Sequence, residues 1–125
     1  MDTRAYTIAV LDDDADFAFV TALTLQMCGY RTEVYDWPED FLTRYAPKPG
    51  CVLLDVMMPG MDGFHVLRQM RDRQWTVPAI TMTAGMGDVS PSAKVYPHWA
   101  GHVSKPFATD DLLRQVREAL GEPTT

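Results

Sequence analysis

The run Cys51-Val52-Leu53-Leu54 is apolar without interruption and ends on Asp55. Short apolar runs without polar alternation are typical of strands that are buried on both faces of a sheet. A segment rich in proline and glycine, residues 47–50, breaks the chain just before this run. The sequence therefore predicts a buried strand whose carboxyl end carries an acidic residue.

Strand-like and helix-like patterns alternate on both sides of this run. Four further strands are predicted over Thr7–Leu11, Arg31–Tyr35, Ala79–Met82 and His102–Ser104. Helices are predicted over Ala15–Cys28, from Pro38 onward, over Gly63–Arg73, and from an N-cap at Thr109 to a stop at Gly121. Because such alternation produces a parallel sheet covered by helices on both faces, we expect a single α/β domain with a doubly wound sheet.

The predicted helices differ in how regular their apolar faces are. In the first helix, the residues that recur at helical spacing on one face are Phe17, Val20, Leu23 and Met27. The last helix has the clearest stripe, made of Leu112, Leu113, Val116 and Leu120. The fourth helix should be short, because Pro91 is tolerated in a first turn but Pro97 should end the helix early.

Size, charge and cysteine content exclude several classes of protein. The chain has 125 residues, a net charge of −6 and no Lys/Arg cluster, so direct binding to nucleic acid is not expected. Its longest apolar runs, such as Ile8–Leu11, fall far short of the roughly 20 residues that a membrane-spanning helix needs. The N-terminus lacks the apolar segment of a secretory signal, so the cytoplasm is the expected location. Cys28 and Cys51 lack redox or zinc spacing and should be core residues.

Polar residues follow the predicted strands at the point where each strand ends. Asp12 and Asp13 follow the first strand, Asp55 the third, Thr83 the fourth and Lys105 the fifth. Because ligands bind beyond the carboxyl ends of the strands of an open parallel sheet, these side chains should share one crevice. Clustered carboxylates repel one another unless a cation is present, and Mg²⁺ prefers oxygen ligands. The sequence therefore predicts a Mg²⁺ site at this edge.

The same residues have the chemistry of a phosphoryl acceptor. Asp is a known covalent nucleophile, so Asp55 could attack a phosphoryl donor and form an aspartyl phosphate. Lys105 would supply positive charge to the phosphoryl oxygens, and the Thr83 hydroxyl would donate one hydrogen bond to them. We interpret the crevice as a site for phosphoryl transfer onto Asp55.

Four segments add a more specific pattern: Asp12-Asp13, Asp55-Val56-Met57-Met58-Pro59-Gly60-Met61-Asp62-Gly63, Thr83-Ala84 and Lys105-Pro106-Phe107. Their joint order and spacing resemble the signature of two-component response-regulator receiver domains, over nearly the whole chain. The resemblance implies a flavodoxin-like (βα)5 fold with sheet order 2-1-3-4-5. It also implies a Mg²⁺ site made of Asp12, Asp13, Asp55 and the Met57 carbonyl, phosphate contacts from Thr83, Lys105 and the Ala84 amide, and a cis Lys105-Pro106 bond.

The resemblance further implies a signalling switch rather than an enzyme. The phosphoryl group would come from a sensor histidine kinase, a phosphotransfer protein or a small phosphodonor. A downstream protein or a fused output domain would read the change at the face formed by helix 4, strand 5 and helix 5, and a phosphorylation-dependent dimer would fit this scheme. We expect residues 1–125 to form one receiver domain, with a core over 6–121 and a tail or linker over 122–125.

One position departs from the family pattern. His102 lies three residues before Lys105, where family members usually carry the Tyr or Phe that acts as a switch together with the conserved threonine, here Thr83. An imidazole is smaller than those rings and resists burial when protonated, so coupling between phosphorylation and the output face should be weaker or depend on pH.

Two other functions are compatible with the sequence. Asp12-Asp13-Asp14 contains the DxD pattern of haloacid-dehalogenase-type phosphatases, which would carry the covalent phosphate on Asp12. Ala15 and Asp16 follow, however, where those enzymes usually carry Thr or Val. The third interpretation is a receiver-like docking module that is never phosphorylated, although the acids, the threonine and the lysine of the crevice are all retained.

Overall fold

The structure, a computed structural model, describes residues 6–58, 60–85 and 87–122, and in this part of the chain five strands alternate with five helices. The strands are β1 (Thr7–Leu11), β2 (Arg31–Tyr35), β3 (Gly50–Asp55), β4 (Ala79–Thr83) and β5 (Trp99–Ser104). The helices are α1 (Ala15–Met27), α2 (Pro38–Arg44), α3 (Gly63–Asp72), α4 (Ser90–Ala93) and α5 (Thr109–Leu120). The largest difference from the predicted bounds is at β5, which begins at Trp99 rather than at His102.

The five strands are parallel and lie in the order β2-β1-β3-β4-β5, which confirms the doubly wound fold. The central strand β3 is buried at every residue, as its apolar run predicted. Its first residue must be glycine, because a Cβ atom on Gly50 would lie 1.8 Å from the Thr7 carbonyl oxygen of β1.

Helices cover both faces of the sheet and divide the core in two. Successive residues of a strand point to opposite faces, so Leu53 packs on the side of α1 and α5 while Leu54 packs on the side of α2, α3 and α4. Cys51 is buried beside Leu53, as predicted, whereas Cys28 is only partly buried at the end of α1.

Helix α1 packs on the sheet through a different face from the one that carries its large apolar residues. Its buried residues are Ala18, Thr21, Ala22 and Leu25, with small side chains that allow the helix to lie close to the strands. The apolar stripe of the sequence points outward instead: Val20, Leu23 and Met27 are 60%, 45% and 81% exposed, and Phe17 is half-buried. The helix is apolar on nearly all sides, so periodicity alone does not identify its buried face.

The remaining helices follow their sequence signals more closely. Helix α4 is only four residues long, which agrees with the expectation of a short fourth helix. In α5 the buried residues are Leu112, Leu113 and Val116, all from the predicted stripe. Its N-cap is Ala108 rather than Thr109, without a side-chain hydrogen bond. In the described ranges, we find no helix with the length and apolar character needed to cross a membrane.

Candidate functional site

The carboxyl ends of β1, β3, β4 and β5 meet at one edge of the sheet. The strand register requires this, because Leu11 pairs with Leu54 and Asp55 pairs with Met82. The polar residues at or just after these ends are Asp12, Asp13, Asp55, Thr83 and Lys105. The structure therefore brings all five sequence-predicted side chains to the same edge.

Three carboxylates form the floor and rim of the crevice. One oxygen from each of Asp12, Asp13 and Asp55 lies within 4.8 Å of the others, a spacing that suits a hard cation. Asp12 is fully buried and Asp55 is 4% exposed, whereas Asp13 is exposed at the rim. The residues present thus fit a Mg²⁺ ion by both donor type and position.

Backbone groups hold two of these carboxylates in place. The Asp14 N–H donates to Oδ1 of Asp12 and the Met57 N–H donates to Oδ1 of Asp55, both at 3.0 Å. Gly63, at the start of α3, keeps the loop after Asp55 close, because a Cβ atom there would lie 2.6 Å from the Asp55 carbonyl oxygen. The acceptor loop is therefore packed tightly against the first turn of α3.

Lys105 is the cation that the crevice itself provides. Its Nζ lies 2.6 Å from Oδ2 of Asp12 and 3.3 Å from Oδ2 of Asp55, and its side chain is 15% exposed. Burial alone would lower the pKa of Lys105, but the hydrogen bond and charge of Asp12, with the charge of Asp55, raise it above its usual value. The lysine is thus fully charged at neutral pH. The Lys105-Pro106 bond that follows is cis.

The Asp55 carboxyl has an unusual proton affinity. Burial raises its pKa to about 6, and the charge of Asp12 adds to this effect, although the Met57 N–H bond and Lys105 act in the opposite direction. Without a metal ion, the Asp55 carboxylate therefore binds a proton more tightly than an exposed aspartate would. A buried carboxyl with a raised pKa at the edge of the sheet is typical of a functional site.

Thr83 carries an unused hydroxyl beside this carboxylate. The residue is 1% exposed, and its Oγ1 has no hydrogen-bond partner. A buried hydroxyl without a partner costs free energy, so a group that could accept its hydrogen bond would be stabilised here. Met57 and Ala84 lie in the loops that directly follow β3 and β4, and the Met57 side chain is 57% exposed.

A second polar cluster lies on the neighbouring strands, farther from the carboxylates. Thr81 Oγ1 accepts a hydrogen bond from Trp99 Nε1 at 3.1 Å and lies 2.8 Å from His102 Nδ1. The other ring nitrogen of His102, Nε2, is buried without a partner, and burial lowers the pKa of the imidazole. The sequence identified His102, but it gave no signal for its contact with Thr81.

Phe17 is the site residue that sequence reasoning missed. Its ring lies under the Lys105 ammonium, with Nζ 4.4 Å from the ring centroid. The sequence placed Phe17 only on an apolar helix face, and a contact between residues so far apart in the chain leaves no local signal.

The fold and site together define a doubly wound α/β domain with an acidic crevice, and comparison with known proteins identifies its family. The model of the response regulator receiver domain matches residues 8–117. The chain belongs to this family, whose members act in two-component systems and signal by phosphorylation.

Solved structures of similar proteins agree with this assignment. The response regulator StyR is 27% identical with a TM-score of 0.85, over 94% of this chain but only 60% of StyR. A putative response regulator from Chloroflexus aurantiacus is 27% identical with a TM-score of 0.81, over 94% of this chain and 98% of that one. The BeF3-activated receiver domain of DrrB is 29% identical with a TM-score of 0.79, over 94% and 98% of the two chains.

Proposed function

We propose that this chain is a receiver domain that accepts a phosphoryl group on Asp55 in a Mg²⁺-dependent reaction. The observation that carries the proposal is the arrangement around Asp55: its Oδ2 lies 3.3 Å from the Lys105 ammonium, and the buried Thr83 hydroxyl at the same edge has no partner. A phosphoryl group bonded to Asp55 would provide an acceptor for the Thr83 hydroxyl and further negatively charged oxygens for the Lys105 ammonium. The domain is a signalling protein rather than an enzyme acting on a separate substrate.

The proposed metal ligands are Asp12, Asp13, Asp55 and the backbone carbonyl of Met57. Support comes from the three carboxylate oxygens within 4.8 Å of one another and from the pKa of Asp55, which burial and, to a smaller extent, the charge of Asp12 raise to about 6. When bound, Mg²⁺ would neutralise charge on the carboxylates and on the incoming phosphoryl oxygens. Asp12 and Asp55 are already held by backbone N–H groups, so the site needs little rearrangement.

The transfer itself balances with Asp55 as the nucleophile. A carboxylate oxygen of Asp55 attacks phosphorus, an O–P bond forms, and the bond from phosphorus to the donor's imidazole nitrogen or acetate oxygen breaks with its electron pair on the leaving group. Because the pKa of Asp55 is about 6, most of it is ionised at pH 7 and can act as a nucleophile. Lys105, Thr83 and the Ala84 amide would hold the phosphoryl oxygens.

The natural donor in this proposal is a sensor histidine kinase or a phosphotransfer protein, which must bring a phosphohistidine to Asp55. Helix α1 offers the apolar surface beside the crevice: Phe19, Val20, Leu23 and Met27 are 67%, 60%, 45% and 81% exposed. A groove of about 450 Å³ runs from Asp12 past Leu23 to Val34 on the edge strand. At its rim Asp40 is paired with Arg44 at 3.2 Å, which leaves Asp36 as an acidic group that favours a donor surface with apolar and basic residues.

The phosphorylated state would be read at the face formed by α4, β5 and α5. His102 lies in β5 and Thr83 ends the adjacent strand β4, so a change at the hydroxyl has a short path to this face. A downstream protein or a fused output domain would bind there, or a second copy in a phosphorylation-dependent dimer. The proposal treats residues 1–125 as one cytoplasmic receiver domain, whose core extends to Glu122 rather than ending at 121, because Glu122 is buried and accepts a hydrogen bond from the Tyr30 hydroxyl at 2.7 Å.

Treatment with acetyl phosphate tests the proposal. We expect the intact mass of the wild-type protein to rise by one phosphoryl group with Mg²⁺ and not with EDTA. The Asp55→Asn variant should stay unmodified, because the amide is not a nucleophile, and Asp13→Ala should require more Mg²⁺, because a proposed ligand is lost. Glu118→Gln, at an exposed acid in the last turn of α5, is the matched control and should behave as wild type.

Equal modification of wild type and Asp55→Asn would contradict the proposal, as would a wild-type protein that no phosphodonor modifies. Equal modification in Mg²⁺ and EDTA would contradict the metal assignment alone.

A further inference from the structure

We propose that Phe17 is a positioning residue for Lys105, which it holds by a cation–π contact so that the ammonium stays over Asp12 and Asp55. This inference rests on the proposed function and adds a residue to its machinery. The contact is direct, since Nζ of Lys105 lies 4.4 Å from the centroid of the Phe17 ring. This distance is well within the roughly 6 Å over which a ring attracts an ammonium group.

The ring is fixed from two directions. The Phe17 N–H donates to Oδ1 of Asp14 at 3.1 Å, so the helix cap holds the backbone of Phe17 in the first turn of α1. The ring also meets Phe107 edge to face, with centroids 5.3 Å apart and planes at 79°. Phe107 lies two residues after Lys105, so both partners of Phe17 come from the segment that follows β5.

Together with Asp12 and Asp55, the Phe17 ring encloses the ammonium group of the flexible Lys105 side chain. An ammonium group has three N–H donors, and Lys105 directs Nζ to Asp12 at 2.6 Å and to Asp55 at 3.3 Å. The Phe17 face covers a further side of the ammonium without offering an alternative hydrogen-bond acceptor. Lysine has a long side chain with many rotamers, and each one that points to solvent removes charge from the crevice. An aromatic face limits these rotamers, while an aliphatic side chain would pack beside the stem and leave the ammonium free.

Substitutions at Phe17 separate the aromatic contact from simple packing. Phe17→Leu keeps apolar volume but removes the ring, and we expect phosphorylation by acetyl phosphate to slow by about tenfold at saturating Mg²⁺. Phe17→Tyr keeps the ring and should restore the rate to within about twofold of wild type. Trp75→Leu also removes a half-buried aromatic ring, but just beyond the C-terminal end of α3 on the other face of the sheet, and it should have no effect on the rate.

Two further measurements decide whether Phe17 acts through Lys105. In a Lys105→Gln background, Phe17→Leu should cause no additional slowing, because the group that it positions is already gone. In NMR spectra of the unphosphorylated protein, the ε-methylene protons of Lys105 should move downfield in Phe17→Leu, since they leave the shielding region of the ring, and should keep their wild-type shift in Phe17→Tyr.

An unchanged rate in Phe17→Leu, equal slowing in both lysine backgrounds, or unmoved Lys105 signals would overturn this inference while wild-type phosphorylation continues to support the proposed function. A wild-type protein that is not phosphorylated at all would instead overturn the proposed function, and with it the role of Phe17 in transfer.

Discussion

The acidic crevice and the polar cluster on β4 and β5 both place ionisable groups inside the domain, but they respond to protons in opposite ways. In the crevice, burial raises the pKa of Asp55 to about 6, so the ionised form of this carboxyl destabilises the folded state. In the cluster, burial lowers the pKa of His102, so the protonated form of this imidazole destabilises the folded state. A metal ion would therefore stabilise the crevice. The cluster, by contrast, needs no added charge, because His102 is most stable there when it is neutral.

The two regions also differ in whether their buried threonine hydroxyl has a hydrogen-bond partner. In the crevice, the Thr83 hydroxyl has no partner, and Lys105 pairs with Asp12 and Asp55, so a ligand could accept the hydrogen bond of the hydroxyl. In the cluster, Thr81 already has partners in Trp99 and His102, and one ring nitrogen is left over. A neutral imidazole tolerates that position better than a charged one, because a buried N–H without an acceptor is costly.

The largest effect that we expect from this contrast is a gain in stability when Asp55 is neutralised. A carboxylate whose folded pKa lies above the unfolded value of 3.8 binds protons preferentially in the folded state, so it lowers stability as pH rises through the window from about 4 to 6. Without divalent metal at pH 7, Asp55→Asn should raise the free energy of unfolding by on the order of 2 kcal/mol. Urea denaturation in EDTA at a series of pH values measures this.

The gain should shrink as the pH falls from about 6 to below 4, because wild-type Asp55 is protonated in both states only below the unfolded value of 3.8. Glu118→Gln, at an exposed carboxylate in the last turn of α5, is the control and should leave stability nearly unchanged. If Asp55→Asn were less stable than wild type at pH 7, the ionised Asp55 carboxyl would not destabilise the folded state as we describe.

A smaller effect of opposite sign is expected at His102. Because its folded pKa lies below the unfolded value of 6.5, the unfolded chain takes up the proton first, and stability falls as pH drops through 6.5 toward the folded value. In His102→Phe this loss should disappear. Thr81 keeps partners in that variant, since Trp99 still donates to its hydroxyl oxygen and the Gly101 carbonyl lies 3.3 Å away.

The measurement is the difference in free energy of unfolding between wild type and His102→Phe from pH 7.5 to 5.5, in which the contribution of Asp55 cancels. A pH-independent difference between wild type and His102→Phe would mean that His102 is not strained by its proton, and the contrast between the two regions would fail.

Much of the fold and of the crevice could be predicted because both depend on local pattern and topology. The apolar run before Asp55 specified a doubly buried strand, and parallel strands must bring their carboxyl ends together, so Asp12, Thr83 and Lys105 followed. The short α4 followed from Pro97. These features need no knowledge of how particular side chains pack.

The features that the sequence did not predict depend on packing between distant segments. Large residues such as Val20 and Met27 suggested the buried face of α1, but the small Ala18 and Ala22 pack on the sheet because they allow a closer approach. The ring of Phe17 under Lys105 likewise joins segments that no local pattern relates. Periodicity identifies a face only when the other faces are polar, and α1 has no strongly polar face.

The most direct test of the central claim is to locate the phosphoryl group after reaction with acetyl phosphate and Mg²⁺. Borohydride reduces an aspartyl phosphate to homoserine, so mass spectrometry of the resulting peptides reads out the acceptor residue. We predict homoserine at position 55 alone, and none in protein treated without Mg²⁺. Homoserine at position 12 would support the phosphatase interpretation and contradict phosphoryl transfer onto Asp55, and unmodified aspartate at both positions would support a docking module that is never phosphorylated.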